Sequence, residues 1–179
     1  MAQNTPYGRI AMGLHWVIAV LLLAQFAFGW WLGDIARGTP ARGYFINLHK
    51  STGIIIGLLI LLRLWWRIRH VPPELPASMA SWQKRLAMAS HKVMYGCMVL
   101  MPLSGYTASN FSRHGVKLFN AVTMPAWGPD NKAVYAFFNQ VHKSTALVLM
   151  ALILLHVAVA VWHAARHDGI FSRMWPHRG

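Results

Sequence analysis

The chain has 179 residues, of which 56% are hydrophobic and only 12% are charged. Soluble domains carry a charge at about a quarter of their positions, so this composition excludes an ordinary soluble domain and indicates an integral membrane protein. The formal net charge is +13, and the single cysteine, Cys97, can form no intramolecular disulfide.

Four apolar runs are long enough to cross a bilayer as helices of about 20 residues. They cover residues 12–32, 48–66, 87–109 and 142–165. Only helices or closed barrels satisfy backbone hydrogen bonds in lipid, and these runs are too continuous for barrel strands. The sequence therefore predicts an all-α, integral membrane four-helix bundle, with a single membrane domain over residues 1–179.

The segments around these runs support that reading. The first run carries His15 and Gln25 and is followed by Gly-Asp rather than an A-x-A cleavage site, so we expect it to stay in the mature protein. A proline-rich connector, residues 71–78, separates the second and third runs. A longer connection, residues 111–140, leaves no room for a separate soluble domain.

Positive residues beside the helix ends predict the orientation, because such flanks tend to remain cytoplasmic. The side that holds both termini carries Arg9, Arg63, Arg67, Arg69, Lys84, Arg85, Lys92, Arg166, Arg173 and Arg178. The opposite side carries Arg37, Arg42, Lys50, Arg113, Lys117, Lys132 and Lys143. The excess of ten against seven favours both termini in the cytoplasm.

Histidines recur at helical spacing in the fourth run. His142, His156 and His163 stand 14 and then 7 residues apart. Fourteen residues of helix return to within about 40° of the starting direction and rise about 21 Å. His142 and His156 therefore share one face at opposite membrane depths, and His163 lies beyond them near the inner surface.

Two other histidines match those depths. His49 opens the second run within a His-Lys-Ser-Thr sequence that recurs at His142, and His15 lies near the inner start of the first run. The predicted facing pairs are His49 with His142 outside and His15 with His156 inside. Ionisable residues in spanning helices are costly and indicate a site.

Paired imidazoles from facing helices suit haem iron, which takes one axial ligand on each side of the porphyrin. An iron with both axial positions filled passes electrons rather than binding oxygen. The chain has no C-x-x-C-H motif, so the pattern predicts two non-covalent haem b groups between the helices, with iron held by the four histidines.

Three residues of the second run have two interpretations each. Gly53 and Gly57 follow His49 by four and eight residues, where small residues would leave room for a flat macrocycle. They could also form a helix-packing motif, which is compatible with haem binding. Arg63 follows His49 by 14 residues and is a candidate partner for a haem propionate, or else a snorkelling cation.

His91 is a rival for His15 in the inner pair, because it opens the third run on the same side. His15 is favoured, since it lies among Ile10, Leu14 and Ile18, whereas His91 follows a more polar stretch. The remaining histidines are expected to be solvated: His70, His114, His167 and His177.

Several fragments in order along nearly the whole chain resemble the bacterial cytochrome b561 family of small four-helix dihaem membrane proteins. They are GLHW, the LH at His49, LLRLWWR followed by PP, TMP, VHK, and LLHVAVAVWH to RMWP. The resemblance implies that His15, His49, His142 and His156 ligate two haems b. Val141 stands before this ligand where a member of the family has a tryptophan, and this difference bears on the tuning of the outer haem.

The resemblance also implies oxidation of superoxide at the outer face and reduction of ubiquinone near the inner haem. Lys50 and Lys143 each follow an outer haem ligand and would attract a small anion. His163 and Trp162, with Arg63, are candidates for contacting the quinone.

Two alternatives remain open from the sequence. The chain could be a haem b anchor that relays electrons between a soluble dehydrogenase or hydrogenase and the quinone pool. It could also be a non-catalytic membrane protein whose histidines bind metal or pack. The absence of a large soluble docking domain and of a cysteine cluster favours the self-contained enzyme, for which a protein partner is not required. No nucleic-acid partner is expected.

Overall fold

A computed structural model of the chain describes residues 6–76 and 79–175. Three residues named in the sequence analysis lie outside this range: Pro176 of RMWP, His177 and Arg178. The last residues of the proline-rich connector, 77 and 78, do so as well.

Four long helices make up most of the described chain. They are α1 (Arg9–Trp31), α2 (Pro40–Arg69), α3 (Ser81–Asn110) and α4 (Lys132–Ala165). Each is long and apolar enough to cross a membrane. The predicted all-α membrane bundle is therefore confirmed.

Polar capping residues make α2 and α4 longer than their apolar runs. The Thr39 hydroxyl accepts a hydrogen bond from the Arg42 amide at 3.3 Å, and Pro40 occupies the first helical position. Asn131 accepts bonds from the amides of Ala133 and Val134. Both arrangements satisfy free amides at a helix start. The polar first turns of α2 and α4 are therefore helical, although the apolar runs of the sequence do not include them.

The outer connection forms a short hairpin, where the sequence indicated only a long loop. Strand β1 (Val116–Leu118) pairs antiparallel with β2 (Val122–Met124). The hairpin turn is fastened to α2, since the Phe119 amide donates to the Ser51 hydroxyl at 2.8 Å. The hairpin therefore packs beside the helical turn that carries His49.

The apolar core lies between the two membrane depths of the paired histidines. It is formed by Ile18, Leu22, Ile56, Ile60, Met98, Met101 and Leu149. Leu149 is fully buried and stands midway along α4 between His142 and His156. Helix α4 packs mainly against α3, α1 against α2, and α2 against α3. An apolar layer thus separates an outer from an inner group of histidines.

A short 3₁₀ helix, Phe171–Met174, closes the inner end. The Trp16 indole donates to the Met174 carbonyl at 2.8 Å, and the Tyr7 amide donates to the Arg173 carbonyl at 3.0 Å. The buried Arg173 guanidinium donates to the carbonyl of Glu74 at 2.7 Å. These bonds connect the segment after α4 to the start of α1 and to the α2–α3 connector.

Candidate haem sites

The structure brings together both histidine pairs that the sequence predicts. The ring centres of His49 and His142 are 6.3 Å apart with the rings inclined at 87°. The ring centres of His15 and His156 are also 6.3 Å apart, with an inclination of 73°. The outer pair joins α2 to α4, and the inner pair joins α1 to α4.

This spacing fits two imidazoles that share one metal ion. A bond from imidazole nitrogen to metal is about 2.0 Å and the nitrogen lies about 1.2 Å from its ring centre, so the centres of two opposed rings stand about 6.4 Å apart. No group of three or more His, Cys, Asp or Glu side chains in the described ranges could hold a metal ion. Paired histidines suit an iron whose other four ligands come from a porphyrin.

His142 has its ring fixed by α3. Its Nδ1 donates to the Met101 carbonyl at 2.7 Å, which leaves Nε2 with the lone pair that a metal needs. A Cβ at Gly105 would lie 2.8 Å from this Nδ1, closer than real Cβ contacts come. The absence of a side chain at Gly105 therefore lets the ring reach the Met101 carbonyl. The sequence analysis did not identify this glycine.

His49 is held by α1 instead. The Gln25 amide nitrogen lies 3.1 Å from His49 Nδ1 and donates to the His49 carbonyl at 2.7 Å. The Thr52 hydroxyl donates to Gln25 Oε1 at 2.7 Å. A Cβ at Gly29 would lie 3.1 Å from His49 Cε1, so this ring also packs against a helix glycine.

The glycines of α2 face neighbouring helices. A Cβ at Gly53 would meet the Gln25 amide at 3.3 Å, and one at Gly57 would meet the Pro102 ring at 3.4 Å. Both positions therefore allow close helix packing, which is the second of the two interpretations above. Such packing is compatible with haem binding.

His91 lies beside the inner pair. Its ring centre is 5.5 Å from that of His156, and its Nδ1 donates to the Ala87 carbonyl at 2.6 Å. This separation is shorter than the 6.3 Å between His15 and His156. The separation of 6.3 Å is closer to the one expected for two imidazoles bound to the same metal ion. The geometry therefore favours His15 over His91 as the partner of His156.

Arg63 points to a different part of the inner end from His163. Its guanidinium donates to the Ala11 carbonyl at 2.6 Å and to the Tyr95 hydroxyl at 3.0 Å. It lines a cavity of about 130 Å³ together with Trp66 and residues of the connector. Among the described residues, no hydrogen bond or ring contact joins Arg63 to His163.

His163 instead pairs with Asp168, beyond the end of α4. Its Nδ1 lies 2.6 Å from an Asp168 carboxylate oxygen. Burial acts to raise the pKa of Asp168, but hydrogen bonds from His163 and from the Ile170 amide outweigh it and leave this pKa below its usual value. The neighbouring Trp162 ring carries the Arg166 guanidinium 4.7 Å from its centre.

The two lysines beside the outer ligands differ in their surroundings. Lys50 is partly buried, and its ammonium donates to the Gly115 carbonyl at 2.7 Å, next to the hairpin. Lys143 is exposed. Of the other outer cations, Arg113 is paired with Asp130 at 2.8 Å.

Comparison with known proteins agrees with this architecture. The sequence model of the family described as prokaryotic cytochrome b561 matches residues 6–177. Cytochrome b561 homolog 2 of Escherichia coli K12 is 28% identical over 162 residues, which cover 89% of this chain and 86% of that protein. Cytochrome b561 homolog 1 of the same organism is 22% identical over 96% of this chain and 98% of its own length.

A third relative is named a probable superoxide oxidase, CybB, from Yersinia pestis. It is 24% identical to this chain over 98% of the chain and 99% of its own length. The family match covers nearly all of the chain and agrees with the four spanning helices. The protein therefore belongs to the prokaryotic cytochrome b561 family, whose members are membrane proteins that bind haem b and transfer electrons.

Proposed function

We propose that this protein oxidises superoxide at the outer face of the bacterial inner membrane and passes the electrons through two haems b to ubiquinone near the inner face. The observation that carries the proposal is the pair of equal ring separations of 6.3 Å at two membrane depths. One pair at each depth would allow an electron to cross the apolar core in two stages.

The four paired histidines would hold the two iron atoms. His49 and His142 would serve the outer haem, and His15 and His156 the inner one. Haem supplies reversible one-electron chemistry when bound. Each iron would be held by two of these rings, and the protein's own residues would contribute ligand orientation, exclusion of water and electrostatic attraction.

The outer face has the charge to attract superoxide. Seven Lys or Arg residues lie on that side of the sequence against Asp34 and Asp130. Lys50 and Lys143 stand next to the outer ligands, and a hydrogen bond to a carbonyl leaves the charge of Lys50 in place. Clustered charge can raise the association rate of an anion by about 10-fold or more. The name of the Yersinia pestis relative supports this choice of substrate.

The inner end offers two kinds of residue to the acceptor and its haem. With both ring nitrogens protonated, His163 would donate from Nδ1 to Asp168 and from Nε2 to a quinone oxygen, with Trp162 beside it. Arg63 would pair with a propionate of the inner haem by a charge-assisted hydrogen bond. The low exposure of the His163 side chain, 12%, supports a site shielded from water.

We propose that both termini face the cytoplasm.

A turnover assay on the purified chain tests this function. Superoxide should reduce the haem, and a soluble ubiquinone should reoxidise it without any added protein. Loss of reoxidation would indicate the alternative function, a haem anchor that needs a soluble partner. Haem that superoxide cannot reduce would overturn the choice of donor.

Two sets of variants locate the substrates. Lys50→Gln with Lys143→Gln should slow reduction by superoxide and weaken its salt dependence, because screening shortens the Debye length to about 3 Å at 1 M salt. His163→Ala should slow only reoxidation by quinone. Haem content should stay unchanged in both sets of variants. An unchanged rate of haem reduction would contradict the superoxide site, and an unchanged rate of reoxidation would contradict the quinone site.

A further inference from the structure

Gln25 is a buried polar residue in an apolar stretch of α1. The residues from Trp16 to Phe28 are otherwise apolar or aromatic, and the Gln25 residue is 8% exposed. A buried amide without partners costs free energy, so a residue of this kind needs specific hydrogen bonds. All of its polar partners lie in one turn of α2, around His49.

The surrounding bonds define how the amide is oriented. Its nitrogen donates to the His49 carbonyl at 2.7 Å, and its oxygen accepts from the Thr52 hydroxyl at 2.7 Å. The same nitrogen lies 3.1 Å from His49 Nδ1. Gly53 provides the space, since a Cβ there would come within 3.3 Å of the amide nitrogen.

We propose that Gln25 is a positioning residue for His49 that holds its ring through Nδ1 and sets the reduction potential of the outer haem. This inference rests on the proposed role of His49 as an iron ligand. Gln25 would not touch the iron; it would act through the histidine ring, as partners of ligating histidines commonly do.

The position of the proton on the imidazole determines the direction in which Gln25 would shift the reduction potential. A neutral histidine that binds metal through Nε2 carries its proton on Nδ1 and needs an acceptor there. The carbonyl oxygen of the Gln25 amide becomes that acceptor only when the amide turns over. The amide nitrogen then gives up the His49 carbonyl, which it reaches at 2.7 Å, and the amide oxygen must move away from that carbonyl to bond Nδ1 alone. Thr52 then loses one acceptor but keeps the Leu48 carbonyl at 2.9 Å and the His49 carbonyl at 3.2 Å.

The other outer ligand lacks this freedom. His142 donates to the Met101 carbonyl, which belongs to the backbone of α3 and cannot rotate independently. The acceptor on His142 is therefore fixed by the fold, whereas the acceptor on His49 is a side chain. Substitution at position 25 can accordingly change the outer haem without altering the backbone.

Redox titration of the haem-loaded protein tests the proposal through two substitutions with opposite effects. Gln25→Glu supplies a stronger acceptor, increases electron density on the ring and should lower the outer potential. Gln25→Leu removes the acceptor and should raise it. Each tenfold change in the reduction equilibrium would appear as a shift of about 59 mV in the outer potential, since one electron is transferred.

Gln140→Leu is the matched control. Gln140 is exposed near the outer end of α4 and bonds to the Ser144 hydroxyl at 3.2 Å, so this variant should keep both potentials. His49→Ala identifies the outer component as the one that disappears. If the Gln25→Leu protein binds no outer haem, its outer potential cannot be measured. The proposal is then tested by Gln25→Glu alone, whose outer potential must fall.

The outcomes separate this inference from the proposed function. Opposite shifts confined to the outer component support Gln25 as the positioning residue. Shifts of the same sign, or none beyond the control, overturn that role while leaving the ligands intact. Retention of both haems in His49→Ala would instead overturn the ligand assignment itself.

Discussion

The outer and inner histidine pairs have the same ring separation but different surroundings. Each outer ring is held through Nδ1, by Gln25 or by the Met101 carbonyl, and each packs against a helix glycine. Within the described residues, the ring nitrogens of His15 and His156 make no hydrogen bond. A third histidine, His91, lies beside the inner rings instead.

The difference indicates two ways of holding a ligand pair. Outside, hydrogen bonds and the absence of side chains fix each ring, so small changes in neighbouring helices should matter. Inside, the rings are placed mainly by packing, with the ring of His91 beside that of His156. We therefore expect the outer site to be more sensitive than the inner site to small changes in the shape of the neighbouring helices.

Removal of a histidine that ligates iron should have the largest effect, because it should eliminate one of the two haems. Alanine at His49 or His142 should eliminate the outer haem, and alanine at His15 or His156 should eliminate the inner one. A pyridine haemochrome assay should give two haems per unmodified chain and one per variant. If His49→Ala and His156→Ala removed the same spectral component, the pairing by membrane depth would be wrong.

A methyl group at Gly105 should have the next largest effect. Gly105→Ala places a Cβ 2.8 Å from His142 Nδ1 and should displace the ring from the Met101 carbonyl. Loss of such a hydrogen bond weakens metal binding by about 10–100-fold, which haem titration of the purified protein would measure. Gly96→Ala, on the same helix with nothing within 4 Å, is the control and should bind haem normally. Equal affinity in both variants would contradict the role of Gly105.

Helical periodicity predicted that His142 and His156 share one face of α4, because a spacing of 14 residues returns to nearly the same direction. Matching membrane depths then predicted His49 and His15 as their partners. The same reasoning could not identify Gly105 or Gln25. Their importance depends on how α3 and α1 are rotated against the facing helices, which is a tertiary property. A lone glycine and a lone glutamine in apolar runs give only a weak signal.

The helix boundaries and the hairpin show a second limit. Hydropathy placed the start of α2 near Leu48, but Thr39 and Pro40 begin it two turns earlier. Charged residues in a capped helical turn lower the hydropathy without opposing the helix. Strands β1 and β2 have three residues each and are too short for a periodic pattern.

His91→Ala should have a smaller effect that tests the inner site. If His15 is the ligand, this variant keeps two haems and changes only the potential of the inner component, because a polar ring beside His156 is lost. Redox titration measures the change, with the outer component as an internal reference. A fall to one haem per chain would assign His91 as the ligand in place of His15.

The smallest effect is expected at the inner surface, where His163 pairs with Asp168. The pKa of Asp168 lies below its usual value, so the pair stabilises the folded protein above the pKa of an unfolded aspartate, and this contribution is lost as the pH falls through the lower folded value. Partly exposed pairs contribute about 0.2–1 kcal/mol. Asp168→Asn should therefore lower the melting temperature slightly near pH 7, and the difference from the unmodified protein should vanish in acid. Asp34→Asn removes an exposed acid whose side chain has no hydrogen bond in the described structure, and serves as the control. A deficit in Asp168→Asn that persisted unchanged into acid would show that the Asp168 charge is not its source.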